Sequence, residues 1–587
     1  MSTPVYRDPS HSVAERVADL LARMTLEEKA GLLFQQMLLI GPGGALIEDP
    51  AQAMTATAGR MVGELGMNHF NMLGSAAPRE MADWHNRLQA LAEDTRLGIP
   101  VTLSSDPRNS FTDNPGTAML SGPFSQWPES LGLAALDDPD LVRRYADTVR
   151  REYLAVGIRL ALHPQIDLAT EPRWSRIPGT FGEDADLTSR LVAAYIEGLR
   201  GPGTRALGPD SVAAMVKHFP GGGPQLDGED PHFSYGREQV YPGGHFDYHL
   251  RPFRAAIAAG ATQMMPYYGM PVGTRYQEVG FGFNKGVLTD LLRGQLGFEG
   301  IVVTDWGLVT DAVIMGQPMP ARAWGVEHLT ELQRAEKILD AGADQFGGEH
   351  RPELVVELVR SASIAESRID ASVRRLLAEK FRLGLFDDRR YVDPDAAEQT
   401  VGHPDFRAAG RTAQARSVTL LKNTDGLLPA SGRPLLYVEG LDPDTAAQYA
   451  ELTHDPALAD LAVLRLDTPY EPRPGGFEAH FHAGRLDFPE DRLKEILALL
   501  DTVPTIVVLH LERPAVIPEI AEHAAALLAV YGTSDTALLD VLFGRARPEG
   551  KLPFQLPRSM RDVTQGHPDV PQESTNPLFP FGAGLRY

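Results

Sequence analysis

At 587 residues the chain is too long for one hydrophobic core, so two or three domains are expected. Its apolar fraction of 43% and charged fraction of 23% are ordinary for a globular protein, and a net charge of −23 argues against nucleic acid or an anionic membrane as partner. The absence of cysteine excludes disulfides, thiolate metal sites and cysteine nucleophiles.

The start, Met1 to Asp8, has neither a basic nor an apolar leader segment, and no run of eighteen apolar residues follows anywhere. A cytoplasmic protein without a membrane anchor is the expectation. Over residues 13–385 strand-like runs alternate with helical patterns such as 141–154 and 327–341, the rhythm of parallel β/α architecture. An amphipathic helix over 364–385 closes this series. Residues 387–408 are charged, contain proline and lack apolar rhythm, so they read as a linker. A second alternating series begins near Ala409 with a helix, followed by strand-like runs at 435–438, 462–466, 505–509 and 526–530. It predicts a smaller α/β sandwich over 409–587, with a turn-rich tail after Pro553.

Five short apolar runs of the first series each release polar residues at the same end. Pro100 to Leu103 leads to Ser104, Ser105, Asp106 and Arg108. Gly157 to Leu162 leads toward Glu171, Arg173, Trp174 and Arg176. Ala213 to Val216 leads to Lys217, His218 and a loop with three consecutive glycines, Gly221 to Gly223. Thr262 to Met265 leads to Tyr267 and Tyr268, and Ile301 to Val303 leads to Thr304, Asp305 and Trp306. In a β/α barrel the C-terminal strand ends form the pocket. A carboxylate beside an indole suits a sugar site, because the acid attacks or steadies the anomeric carbon and the ring packs the sugar's C–H face. Asp305 is therefore the candidate nucleophile. No Gly-Lys-Ser/Thr follows the glycine loop, so a phosphate-binding loop is excluded.

With these motifs in order, the chain resembles glycoside hydrolase family 3 over nearly its whole length. The resemblance rests on the opening helical segment 16–30, on EPRWSRIPGTFGED at 171–184, KHFPGGG at 217–223 and VTDWG at 303–307. It extends to GKLPF at 550–554 and PFGAGLRY at 580–587. It implies an N-terminal (β/α)8 TIM-like barrel over 1–386 and a C-terminal α/β sandwich over 409–587, with the active site between them. It also implies retaining exo-acting chemistry without metal or cofactor. By motif position Asp305 is the nucleophile. The acid/base is expected from a sandwich loop reaching over the barrel, where Pro469-Tyr470-Glu471 resembles the family's loop. Glu471 is the choice and Glu478 the alternative, and packing against Tyr470 or Phe477 is expected to bury the acid and raise its pKa. Asp106 matches the acid that accepts from the distal hydroxyls. Arg176, Lys217 and His218 match hydroxyl-binding positions, Tyr267 an aromatic near the anomeric carbon, and Trp306 the wall. Lys217, Arg176 and Arg173 are the cations available to keep Asp305 ionised, although Arg173 reads as structural, paired with a neighbouring acid.

The hexosaminidase branch of the family has a histidine where this chain has Gly222, which disfavours that branch. Asp227, Glu229, Asp230, His218 and His232 are irregularly spaced for a metal site, and the acid-rich loop reads as a solvated turn. The chain ends at Tyr587, so a further fibronectin-like domain is not expected. The function expected is a retaining exo-β-glucosidase acting on a β-linked glucoside or short oligosaccharide. A β-xylosidase is the alternative within the family, and a non-hydrolytic sugar-binding or transglycosylating relative the alternative of another class. Asp106, placed to read the distal hydroxyls, tilts the reading toward glucose.

Overall fold

The computed structural model describes residues 3–587. Eight strands close a barrel: β1 (Phe34–Leu39), β2 (His69–Leu73), β3 (Thr102–Ser105), β4 (Ile158–Ala161), β5 (Ala213–Phe219), β6 (Gln263–Pro266), β7 (Ile301–Trp306) and β8 (Gln345–Gly347). Neighbours follow chain order around the ring and every pair is parallel. All polar strand ends therefore emerge on one face.

β3 to β7 coincide with the five runs legible in the sequence. β1, β2 and β8 carry interior polar residues that break the apolar pattern. Gln35 Nε2 donates to Ser104 Oγ at 2.8 Å, Asn71 Nδ2 donates to Asp106 Oδ2 at 3.0 Å, and Gln345 Nε2 donates to the Leu32 carbonyl at 3.0 Å. A polar residue inside the barrel is stable because its partner is there too.

Helices surround the ring. The opening segment is two helices, because Thr25 caps Leu26–Leu32 directly after Val13–Arg23 ends, each with a reciprocal Ser/Thr–Glu capping box. Glu366–Arg382 closes the barrel from its N-terminal end, where buried Lys380 donates to the carbonyls of Asn68 and Pro100 and to Thr102 Oγ1. Within residues 387–408 lies a helix, Pro394–Thr400, packed on the barrel helices Pro78–Glu93 and Pro139–Ala155. Ala397 and Val401 are its buried contacts.

The second sheet has six strands: β9 (Thr419–Asn423), β10 (Leu435–Glu439), β11 (Glu451–Leu452), β12 (Leu461–Asp467), β13 (Thr505–His510) and β14 (Ala526–Val530), in the order β9-β14-β13-β12-β10-β11. Only β9 is antiparallel to its neighbour. Both faces are buried, and residues alternate between two cores. Val507 and Leu509 join the apolar core continuous with the barrel, whereas Ile506 and Val508 join a separate cluster on the other face. The tail after Pro553 is turn-rich apart from Met560–Gln565 and straps the barrel: Asp569 accepts from the Gly243 and His245 N–H groups, and Thr170 Oγ1 donates to the Pro568 carbonyl. Among the described residues no helix is long and apolar enough to cross a membrane.

Candidate active site

Asp305 is the penultimate residue of β7 and only 7% exposed. Its Oδ1 accepts from the Trp306 N–H at 2.8 Å, while its Oδ2 is buried and without a partner among the described residues. The Tyr267 hydroxyl and the Trp306 indole N–H are also buried and unpartnered. Buried polar groups are nearly always satisfied, so these three groups at neighbouring strand ends are open to water or to a bound ligand. Glycines shape this corner. A Cβ on Gly348, whose φ is +69°, would lie 2.5 Å from the Trp306 ring, and one on Gly347 would lie 2.9 Å from it. Only bare backbone lets the indole lie flat across the end of β8.

The other expected binding residues surround the same face. Asp106 directly follows β3 and accepts from Lys217 Nζ at 3.0 Å and from Asn71 Nδ2 at 3.0 Å. Lys217 and His218 are the last charged positions of β5. His218 Nδ1 faces Asp167 Oδ2 at 2.7 Å, and Asp167 also accepts from the His218 and Gly222 N–H groups. Burial would raise Asp167, but its contact with His218 and the hydrogen bonds from the His218 and Gly222 N–H groups outweigh it and hold the carboxyl below its ordinary value. Burial in turn depresses the His218 imidazole, although Asp167 pulls the other way. The ring is thus neutral near pH 7, with its proton on Nδ1 toward Asp167 and Nε2 free to accept. Arg176 Nη2 stands 3.5 Å from that Nε2 and from Gln165 Oε1. Its burial opposes its charge, and the fields of Tyr267, Asp230, Asp305 and Asp167 more than restore it. Tyr267 lies against His218, with ring centroids 4.6 Å apart. Burial lifts both Tyr267 and Tyr268 well above the usual phenol range, so both hydroxyls stay protonated donors.

Of the three cations expected beside Asp305, Lys217 is engaged by Asp106 and Arg173 pairs with Glu171 at 2.8 Å, leaving Arg176 as the one whose field Asp305 shares. The triple glycine serves packing within the protein. A Cβ at Gly222 would sit 2.7 Å from the Tyr267 ring, and one at Gly223 would sit 1.9 Å from the Leu168 carbonyl. A histidine at 222 is therefore excluded by space as well as by sequence.

The loop after β5 differs from the solvated turn that its acids predict. Asp227 is exposed and Glu229 pairs with Arg473, but Asp230 and His232 are 2% and 6% exposed and bonded to each other, Nδ1 to Oδ1, at 2.6 Å. Burial would raise Asp230, yet His232 and Arg176 bring it down to about 2. No group of three His, Asp or Glu side chains among the described residues is arranged to hold a metal ion. Asp167, Asp230, His232, Tyr268 and Asn71 are the participants that the sequence reading did not assign to the site. The available signals were single polar residues in apolar surroundings, as in Ile166-Asp167-Leu168, and the Asp-Pro-His triplet.

The sandwich loop between β12 and the helix Glu490–Thr502 carries both candidate acids. Glu471 is exposed, contrary to the expected burial. Tyr470, itself 43% exposed, stacks on His482 at 3.8 Å and does not cover the acid. The Glu471 carboxylate has no hydrogen-bond partner among the described residues, and Gly484 leaves the space it occupies. Glu478 is half-buried and accepts from Tyr235 at 2.5 Å. The loop is pinned by buried Arg513, which donates to the carbonyls of Pro469, Gly484 and Arg173 and so ties both strands of the loop to the barrel. Beside it a cavity of about 200 Å³ runs between the domains, with Lys217, Arg176 and Gln165 on the barrel side and His480, His482 and Glu512 on the other.

The chain matches the model of the glycosyl hydrolase family 3 N-terminal domain over residues 41–378 and that of the C-terminal domain over residues 446–587. The chain belongs to glycosyl hydrolase family 3. It is 55% identical to the beta-glucosidase C of Emericella nidulans, covering 100% of this chain and 94% of that protein. It is 42% identical to a periplasmic beta-glucosidase/beta-xylosidase of Dickeya chrysanthemi, covering 99% and 91%. The solved β-glucosidase of Listeria innocua in complex with glucose superposes with a TM-score of 0.76 at 22% identity, covering 98% of this chain and 83% of that one. A β-glucosidase from Erythrobacter marinus gives 0.79 at 24%, covering 100% and 84%. At these identities the two solved structures speak for the fold alone.

Proposed function

We propose that the chain is a retaining exo-β-glucosidase that releases the non-reducing terminal glucose of β-glucosides or short oligosaccharides by double displacement. The observation that carries this reading is the unpartnered, buried Asp305 Oδ2 at the end of β7, flanked by the equally unpartnered Tyr267 hydroxyl and Trp306 indole. With Oδ1 held by the Trp306 N–H, the carboxylate is oriented so that Oδ2 attacks the anomeric carbon. Asp106, Lys217, His218 and Arg176 form a hydrogen-bonding rim for the sugar hydroxyls, and Trp306 offers a face to its C–H groups.

Glu471 is the proposed acid/base: a free carboxylate on the loop that crosses the barrel mouth, which a bound leaving group would cover and desolvate. It protonates the departing oxygen and then deprotonates the water that releases glucose, as a retaining pair spaced ~5–5.5 Å requires. Glu478, engaged by Tyr235, is the alternative. Hydrolysis of β-xylosides is the second reading, favoured by the 42% identical relative named for both activities.

The test is incubation with a 2-deoxy-2-fluoro-β-glucoside carrying an activated leaving group, followed by peptide mass analysis. A fluoroglucosyl adduct on the peptide containing Asp305 is expected. Turnover of aryl β-glucosides with no adduct on Asp305 would overturn the assignment. Matched 4-nitrophenyl β-glucoside and β-xyloside rates then rank the two readings.

A further inference from the structure

The Asp230–His232 pair lies outside the sugar-binding rim, yet it is the point where nucleophile and sandwich loop meet. Asp230 Oδ1 receives both the His232 N–H at 3.0 Å and the ring Nδ1, while Oδ2 accepts from Ser175 at 3.0 Å. The imidazole therefore cannot turn. One side of it meets Tyr268 edge-on at 4.6 Å, and the Tyr268 hydroxyl accepts from the Trp306 N–H at 3.0 Å and donates to the Trp306 carbonyl at 2.9 Å. The N–H belongs to the peptide unit joining Asp305 to Trp306, and the carbonyl to the next unit, joining Trp306 to Gly307. The other side meets Phe481 at 4.8 Å and Phe477 at 5.9 Å, both from the sandwich loop. Phe477 belongs to the turn Gly476–His480, which also carries Glu478. Phe233 and Met319 complete the cluster from barrel loops, and Asn114 Nδ2 secures the turn through the His480 carbonyl at 2.8 Å. Gly116 lies beneath, where a Cβ would come within 2.7 Å of the Phe477 ring.

We propose that His232, immobilised by Asp230, is a positioning residue that sets the sandwich loop carrying the acid/base over Asp305. Its flat ring is the surface on which Phe477 and Phe481 close. The inference rests on the proposed glycosidase reading and deepens it. A ring removed here leaves Asp305 on its strand but lets the loop drift, and misplacement by about 1 Å costs on the order of 10²-fold in a positioned step. The loss falls on proton donation, which matters for poor leaving groups and hardly for activated ones.

The experiment compares kcat/KM of the wild type, His232→Ala, His232→Phe and Phe481→Ala on glucosides whose leaving groups range from methyl and phenyl to 2,4-dinitrophenyl. His232→Ala and Phe481→Ala are expected to lose about 10²-fold on the poor leaving groups and less than about fivefold on the activated one. Their double variant should lose little more than either alone. His232→Phe keeps a flat ring but loses the bond to Asp230, so it should recover part of the loss. Fluoroglucoside labelling of Asp305 should remain stoichiometric in every variant. Equal losses across all leaving groups would overturn the proposal, as would His232→Phe as impaired as His232→Ala, since the latter makes the imidazole nitrogen, and not its shape, the active feature. Unlabelled wild type would instead sink the glycosidase reading beneath it. If His232→Ala fails to fold, His232→Phe and Phe481→Leu carry the comparison alone.

Discussion

The two halves of the proposed catalytic apparatus are built in opposite ways. The nucleophile side grows from strands: Asp305, Lys217, His218 and Asp106 are held by β7, β5 and β3, and all four are buried with fixed partners or fixed backbone. The side that carries the proposed acid/base is a loop of some twenty residues with an exposed Glu471, kept in place by Arg513 and a cluster of aromatic rings. Strand ends in a closed barrel hold a group precisely enough for bond formation without further help. A loop needs external clamps, and it gains the freedom to admit leaving groups of different shape. The proposed attack at the anomeric carbon, the step that must be invariant, sits on the rigid side.

The comparison breaks most sharply at Asp305. Asp305→Asn should reduce turnover of every β-glucoside by at least roughly 10⁴-fold while leaving circular dichroism and the melting temperature close to wild type. Glu471→Ala should lose about 10²–10⁴-fold on poor leaving groups and little on 2,4-dinitrophenyl glucoside, with azide restoring turnover as the glucosyl azide. If Glu478→Ala shows that pattern in its place, the acid/base moves seven positions along the same loop.

Asp106→Ala tests the rigid side in another way. It strands Lys217 as a buried, unpaired cation, so binding and stability should fall together, the latter by about 3–5 kcal/mol in chemical denaturation. Arg513→Lys should have a milder effect, since a compact ammonium replaces a planar fork that spreads its donors over three carbonyls. A two- to tenfold rise in KM with a nearly unchanged melting temperature is expected, read from steady-state kinetics on oligosaccharides.

The smallest effect concerns Glu349, which accepts from the Val309 and Thr310 N–H groups and so fixes the loop that follows the nucleophile. Burial outweighs those bonds and pushes its carboxyl up to about 7. The folded chain therefore keeps a proton that the unfolded chain releases at the ordinary carboxylate value. The stability tied to the neutral form is complete below that ordinary value and is lost as pH rises through about 7. Glu349→Gln should flatten this dependence, narrowing the melting-temperature difference between pH 5 and pH 8 by a few degrees in calorimetry. An unchanged slope would show that Glu349 stays ionised when folded.

Much of this was legible in the chain itself. The alternation of apolar runs and amphipathic helices gives a parallel β/α architecture, and the polar residues at the ends of five strands mark the reactive face before any contact is known. Asp305, Lys217, His218, Asp106, Arg176, Tyr267 and Trp306 gather there because strand order and a common strand direction, once set by local patterning, dictate where strand ends go. What the sequence could not resolve were polar residues whose partners are distant in the chain. Gln35, Asn71 and Gln345 read as breaks in strands because their satisfied hydrogen bonds are long-range. Asp230 and His232 read as surface because acids and histidines in a glycine-containing loop usually are. Only the folding of Ser175, Tyr268 and the sandwich loop around them excludes water and turns the triplet into a buried clamp. Burial is a property of the whole packed molecule, so the sequence by itself determined the strands and the candidate nucleophile at the end of one of them. The tertiary structure alone decided what covers them.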